Sequence, residues 1–86
     1  MANRYPYEPV LSSKAAAFVI SLSKLRQRKL IELLHQLAKN PSQIGDYSER
    51  DNTGREVQFI VAKDLVITFW ADDAVRELRI VDIEEV

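Results

Sequence analysis

At Ile44 this chain changes its hydrophobic period, and its charge changes sign at nearly the same place. Over residues 12–41 the apolar side chains recur at helical spacing, and from Ile44 onward they alternate. Residues 12–41 hold Lys14, Lys24, Arg26, Arg28, Lys29 and Lys39 against Glu32, a balance of +5. Residues 42–86 hold five bases against eleven acids, a balance of −6. A chain patterned this way builds a basic helical layer and an acidic sheet layer. Surplus carboxylates on a sheet repel phosphate, so the pattern argues against RNA binding there.

With 86 residues the chain makes one domain. Within it, residues 1–11 form an extended arm or edge strand, 12–41 a helical hairpin and 42–86 an antiparallel sheet. No cysteine is present, which excludes disulfides, thiolate zinc sites and cysteine nucleophiles. The longest apolar stretch, Ala15 to Ile20, is too short to span a bilayer. Residues 1–9, with two tyrosines and two prolines, lack the apolar core of a signal peptide. The expected location is the cytoplasm.

Pro6 and Pro9 remove backbone donors and forbid a central strand, so the segment carrying Tyr5, Tyr7 and Val10 belongs at an edge. Ser12 or Ser13 can cap a helix that opens Lys14-Ala-Ala-Ala, with Ala15, Phe18, Val19 and Leu22 on one face. Ser21 and Ser23 supply a second cap or a break in one longer helix. The following helix, from about Lys24 to Lys39, buries Leu30, Leu33, Leu34, Leu37 and Ala38 and stops at Asn40-Pro41. Short turns at 51–54, 63–64 and 71–74 then dictate an antiparallel meander. The predicted fold is α+β: a helical hairpin on one face of a three- to four-stranded antiparallel sheet. Val57, Phe59 and Val61, with Leu65, Ile67 and Phe69, are expected to face the helices. Gln58, Ile60, Val66, Thr68 and Trp70 are expected on the opposite face.

Few residues carry chemistry. His35, the single histidine, lies on the outward side of the second helix and reads as a solvated side chain. Lys24, Arg26, Arg28 and Lys29 read as a solvated helix face, with an acidic helix or nucleic acid as the alternative ligand. Arg55, Lys63, Arg76 and Arg79 are the weak candidates for a phosphate site, against cross-strand pairing with Glu56, Glu77 and their neighbours. Asp46, Glu49 and Asp51 around Gly54 resemble a calcium loop, but Ile60 stands where the closing glutamate belongs, which rejects calcium. No metal or cofactor is expected. Ile60, Val66 and Trp70 form the candidate partner surface, because tryptophan anchors interfaces and apolar patches mark them. The competing arrangement folds Tyr5 and Tyr7 over that patch.

The element order, with Leu37-Ala38-Lys39-Asn40-Pro41 closing the second helix, Gly45-Asp46-Tyr47 before the sheet, and Arg55-Glu56-Val57 and Ile67-Thr68-Phe69-Trp70 in the central hairpin, resembles the RelE/ParE superfamily of bacterial toxins over residues 5–83. The resemblance implies a toxin encoded beside an inhibiting antitoxin. Its RelE branch cleaves mRNA in the ribosomal A site using basic residues on the sheet and often a C-terminal Tyr or His. Its ParE branch acts on DNA gyrase. The lysines it implies fall at about Glu56 and Gln58 and the arginine near Leu65, while Asp82, Glu84 and Glu85 occupy the basic C-terminal stretch. No tyrosine or histidine follows Tyr47. Cleavage through a 2′-hydroxyl needs cations beside the phosphorane and a proton donor for the leaving oxygen. The implied reading is therefore a toxin component with altered or lost activity, partnered by an antitoxin-like protein or a second copy. The alternatives are a non-catalytic interaction or dimerisation module on the same fold, and a gyrase inhibitor.

Overall fold

The computed structural model describes residues 7–86. The elements run β1 (Glu8–Leu11), α1 (Ser13–Ile20), α2 (Lys24–Ala38), β2 (Tyr47–Arg50), β3 (Glu56–Ala62), β4 (Leu65–Asp72) and β5 (Glu77–Glu85). The strands form one sheet in the order β1-β5-β4-β3-β2. The chain thus has the expected α+β layering, with two differences. The sheet has five strands, and β1 pairs parallel to β5, Glu8 beside Glu77 and Leu11 beside Ile80. The parallel edge strand follows from connectivity, because a helical hairpin rather than a tight turn separates β1 from the sheet. Tyr5 of the expected arm lies outside the described residues.

Two serines set the helices. Ser12 Oγ accepts from Ala15 N–H at 3.0 Å and donates to the Val81 carbonyl at 2.7 Å, so one hydroxyl starts α1 and ties it to β5. Ser23 Oγ accepts from Arg26 N–H and starts α2. Gln27 Nε2 donates back to the carbonyls of Ile20 and Leu22, satisfying the α1–α2 turn. Ala15, Val19, Leu30, Leu34, Leu37 and Ala38 then pack on Leu65, Ile67, Phe69, Leu78, Ile80 and Ile83. Each large aliphatic buried there contributes roughly 1.5–3 kcal/mol.

Register corrects the expected phase of β3. Ile60 lies opposite Ile67 and Gln58 opposite Phe69, so Gln58, Ile60 and Ala62 share the helix side. Val57, Phe59 and Val61 point the other way with Val66, Thr68 and Trp70. Ile60 packs against the core, whereas Val61 is 47% exposed. Leu65, Ile67 and Phe69 face the helices as expected. On β5 a bulge opposite Thr68/Phe69 leaves Val81 outside the ladder pairs and keeps both Ile80 and Ile83 in the core.

Candidate functional site: the open face of the sheet

The helices cover one face of the sheet; the other, here the open face, gathers the conspicuous side chains. Tyr47 from β2 stacks on Phe59 from β3, with ring centroids 4.6 Å apart and planes within 8°. Val57 lies nearly buried on the same face. The Arg55 guanidinium lies over the Trp70 ring, 3.9 Å from its centroid. Trp70 in turn neighbours Arg79 across the β4–β5 ladder.

The β2–β3 turn places Arg55. Asp51 Oδ1 accepts from the Thr53 N–H, the Thr53 hydroxyl and the Arg55 N–H at 2.9, 2.6 and 3.0 Å. The other carboxylate oxygen lies 3.4 Å from Arg55 Nη1. The Thr53 hydroxyl is the main cause holding the Asp51 carboxyl below the usual carboxylate range, with the backbone amides and the Arg55 charge adding to it against partial desolvation. Gly54, at φ 87°, closes the turn. The acidic cluster that resembles a calcium loop therefore serves as a turn cap, and no group of potential metal ligands occurs among the described residues.

Arg79 is held by acids of its own face. Its Nη2 lies 2.9 Å from Glu77 and its Nε 3.6 Å from Asp72. Arg76 occupies the β4–β5 turn with φ 57°, beside the Tyr7 hydroxyl, which donates to Asp73 at 2.6 Å. That bond is the first cause raising the Tyr7 pKa. Tyr7 packs against the helix-side core and so does not shield Trp70.

The four candidate cations divide between the two ends of β4. Arg55, Arg76 and Arg79 lie at the end carrying Asp72. Lys63 sits in the β3–β4 turn at the other, where it joins Arg26, Lys29 and Asp64 around a cleft of about 450 Å³ between α2 and that turn. The carboxylates of Asp51, Asp72 and Glu77 are interleaved with the arginines rather than turned away from them. The proposed partner set also divides: Val66 and Trp70 are on the open face, but Ile60 is under the helices. Alternation misassigned it, because the more apolar set of β3, Val57, Phe59 and Val61, lies on the open face.

The positions where lysines were implied, Glu56 and Gln58, are on the helix side. Glu56 accepts from Ser48 Oγ at 3.0 Å and Gln58 Oε1 accepts from Gly45 N–H at 2.8 Å. In this register the open-face cation of that strand's entry is Arg55. Sequence reasoning missed Tyr47 and Phe59, whose signal was the short exposed strand β2 directly preceding the turn.

No protein-family model matches the chain, and no curated protein matches it. Solved structures do. A chain of the RelBE2 toxin–antitoxin complex from Mycobacterium tuberculosis superposes with TM-score 0.75 at 14% identity, over 95% of this chain and 100% of that one. A chain of the archaeal RelE–RelB complex from Pyrococcus horikoshii OT3 gives TM-score 0.71 at 12% identity, over 94% and 96%. The fold is thus RelE-like from end to end of the described sheet. Among the described residues no helix is long and apolar enough to cross a membrane.

Proposed function

We propose that this chain is a RelE-like component of a cytoplasmic toxin–antitoxin pair whose RNA-cleaving activity is lost or altered. The near-complete overlap with chains of two RelE–RelB-type complexes supports the pairing. The observation that carries the altered activity is the state of the open-face arginines. Arg55 is engaged by Asp51 and Trp70, and Arg79 by Glu77 and Asp72. A phosphate approaching either guanidinium would have to displace a carboxylate already in place, and no histidine stands on the sheet to donate a proton. Arg55, Arg76, Arg79 and the remote Lys63 stay candidates only for residual contact with RNA.

Expression of the chain alone in bacteria, with growth and translation followed, tests this reading. Unimpaired growth together with capture of the product of a neighbouring reading frame is the expected result. Ribosome-dependent mRNA cleavage would refute the loss of activity, and absence of any antitoxin-like partner would refute the pairing.

A second reading keeps the fold as a non-catalytic interaction module. The apolar ledge of Tyr47, Phe59, Val57, Val66 and Trp70 on the face the helices leave open favours it.

A further inference from the structure

The two outward surfaces of this molecule carry opposite unpaired charge around apolar centres. On the open sheet face, register places Glu8, Glu49, Asp72, Glu77, Asp82 and Glu84 around the aromatic ledge, against Arg55 and Arg79. Those two arginines, and Lys14 on Asp82, are spent on local carboxylates. No ion pair among the described residues engages Glu8, Glu49 or Glu84. The face is therefore an apolar platform with an acidic rim.

On the far side, α2 turns Lys24, Leu25, Arg28 and Ile31 to solvent, with Ile20 from the end of α1 beside them. Leu25 is 58% and Ile20 75% exposed, unusual for a helix layer whose inner stripe is already satisfied. No ion pair among the described residues engages Lys24 or Arg28. Glu32 is the one acid on this stripe, beside Arg28 and Ile31, so the surface is apolar with a net basic surround, the complement of the sheet face.

We propose that the chain associates head to tail with a second copy of itself, the outer stripe of α2 docking on the open sheet face of its neighbour. Charge complementarity selects this occupant: each surface would meet its own kind in a two-fold dimer, acid on acid or base on base, whereas the staggered arrangement opposes them. Ile20, Leu25 and Ile31 of one copy meet Tyr47, Phe59, Val66 and Trp70 of the next. Because the contact is heterologous, every added copy leaves one donor and one acceptor surface open, and the assembly grows with concentration unless it closes into a ring. The proposal does not depend on the toxin–antitoxin reading.

Sedimentation velocity of the purified protein provides the test, with two charge-reversed variants. Glu49→Lys with Glu84→Lys reverses the sheet rim; Lys24→Glu with Arg28→Glu reverses the helix stripe. All four positions are exposed, and a glutamate at position 24 enters the first turn of α2, where negative charge is favoured, so both variants fold, as far-UV circular dichroism will verify. The wild type is expected to associate progressively at low salt and to dissociate at high salt. Each variant alone loses association by at least about tenfold, and an equimolar mixture regains it, because each supplies the surface that the other has lost. A wild type that stays monomeric at every concentration overturns the proposal. So does association indifferent to salt, or a mixture no better than its components.

Discussion

Arg55 lies over the Trp70 ring, its guanidinium carbon 3.9 Å from the ring centroid, and Asp51 engages the same arginine at 3.4 Å. A turn carboxylate thereby fixes a cation on the one tryptophan of the chain. The pair closes the end of the open face at which Arg79 is also neutralised, so the two are parts of one screened surface.

Because Trp70 is the sole tryptophan, its emission reports on this pair directly. Arg55→Gln removes the cation over the ring and the link to Asp51, and should shift the emission to longer wavelength as water reaches the indole. The accompanying loss of stability should be about 0.5–1 kcal/mol by urea unfolding, the range for a cation on an exposed aromatic face. An unchanged spectrum would show that Arg55 does not cover Trp70 in solution.

Asp51 and Tyr7 each add a pH-dependent increment to stability. The Asp51 carboxyl is depressed by the Thr53 hydroxyl, so its contribution is complete above the ordinary carboxylate range and is lost as pH falls through the lowered value. The Tyr7 phenol is raised by its bond to Asp73, so its contribution is complete below the ordinary phenol range and is lost as pH rises through the higher value. Asp51→Asn should flatten the acid limb of the stability profile and Tyr7→Phe the alkaline limb. Thermal unfolding across pH measures both, and each variant should leave the other limb intact.

The two glycines should fail for different reasons. A Cβ at Gly45 would lie 2.5 Å from the Phe59 carbonyl oxygen and 2.9 Å from its nitrogen, so Gly45→Ala has to push the segment before β2 off the β3 backbone, at about 1–3 kcal/mol. At Gly54 nothing lies within 4 Å, and only the φ of 87° opposes a side chain. Gly54→Ala should cost about 1 kcal/mol. Urea midpoints rank the two, and equal effects would contradict the close approach at Gly45.

Register assigns opposite consequences to adjacent residues of β3. Ile60, facing Ile67, should lose about 1–2 kcal/mol on truncation to alanine. Val61, 47% exposed on the other face, should lose under about 0.5 kcal/mol. Charged replacements widen the contrast: Ile60→Asp should unfold the protein, while Val61→Asp should leave it folded. The reverse order would restore the phase expected from alternation alone.

That pair of residues shows where the sequence stopped being informative. Helix positions were legible because Ser12, Ser23 and Pro41 punctuate them and the leucine stripe has one phase. The β4 face was legible because Leu65, Ile67 and Phe69 alternate with less apolar neighbours. In Glu56–Ala62 the more apolar alternate set, Val57, Phe59 and Val61, is the outward one, while Glu56 and Gln58 share the inward side with Ile60 and Ala62. The inward set is therefore decided by hydrogen-bond register with β4, a non-local property. The parallel pairing of β1 with β5 likewise joins segments about as far apart as the chain allows and leaves no local trace. The open-face charge was visible as a total, but the locking of Arg79 between Glu77 and Asp72 needed the ladder that brings Asp72 opposite Glu77.

The neutralisation of Arg79 can be undone without touching the arginine. Asp72→Asn with Glu77→Gln keeps side-chain size while removing both charges that hold it. Single-stranded RNA binding, measured across salt concentrations, then reads out how many phosphates the face can meet. For the wild type the slope of log affinity against log salt should be near zero. Freeing one guanidinium should steepen it by roughly 0.7, the counterion release for one phosphate on a single strand. The direction follows from charge alone, because neither substitution creates a new donor cation. A wild type already bound with a steep slope would mean that phosphate outcompetes the carboxylates at Arg55 and Arg79, and that the open face of this RelE-like fold remains a nucleic-acid surface despite its acids.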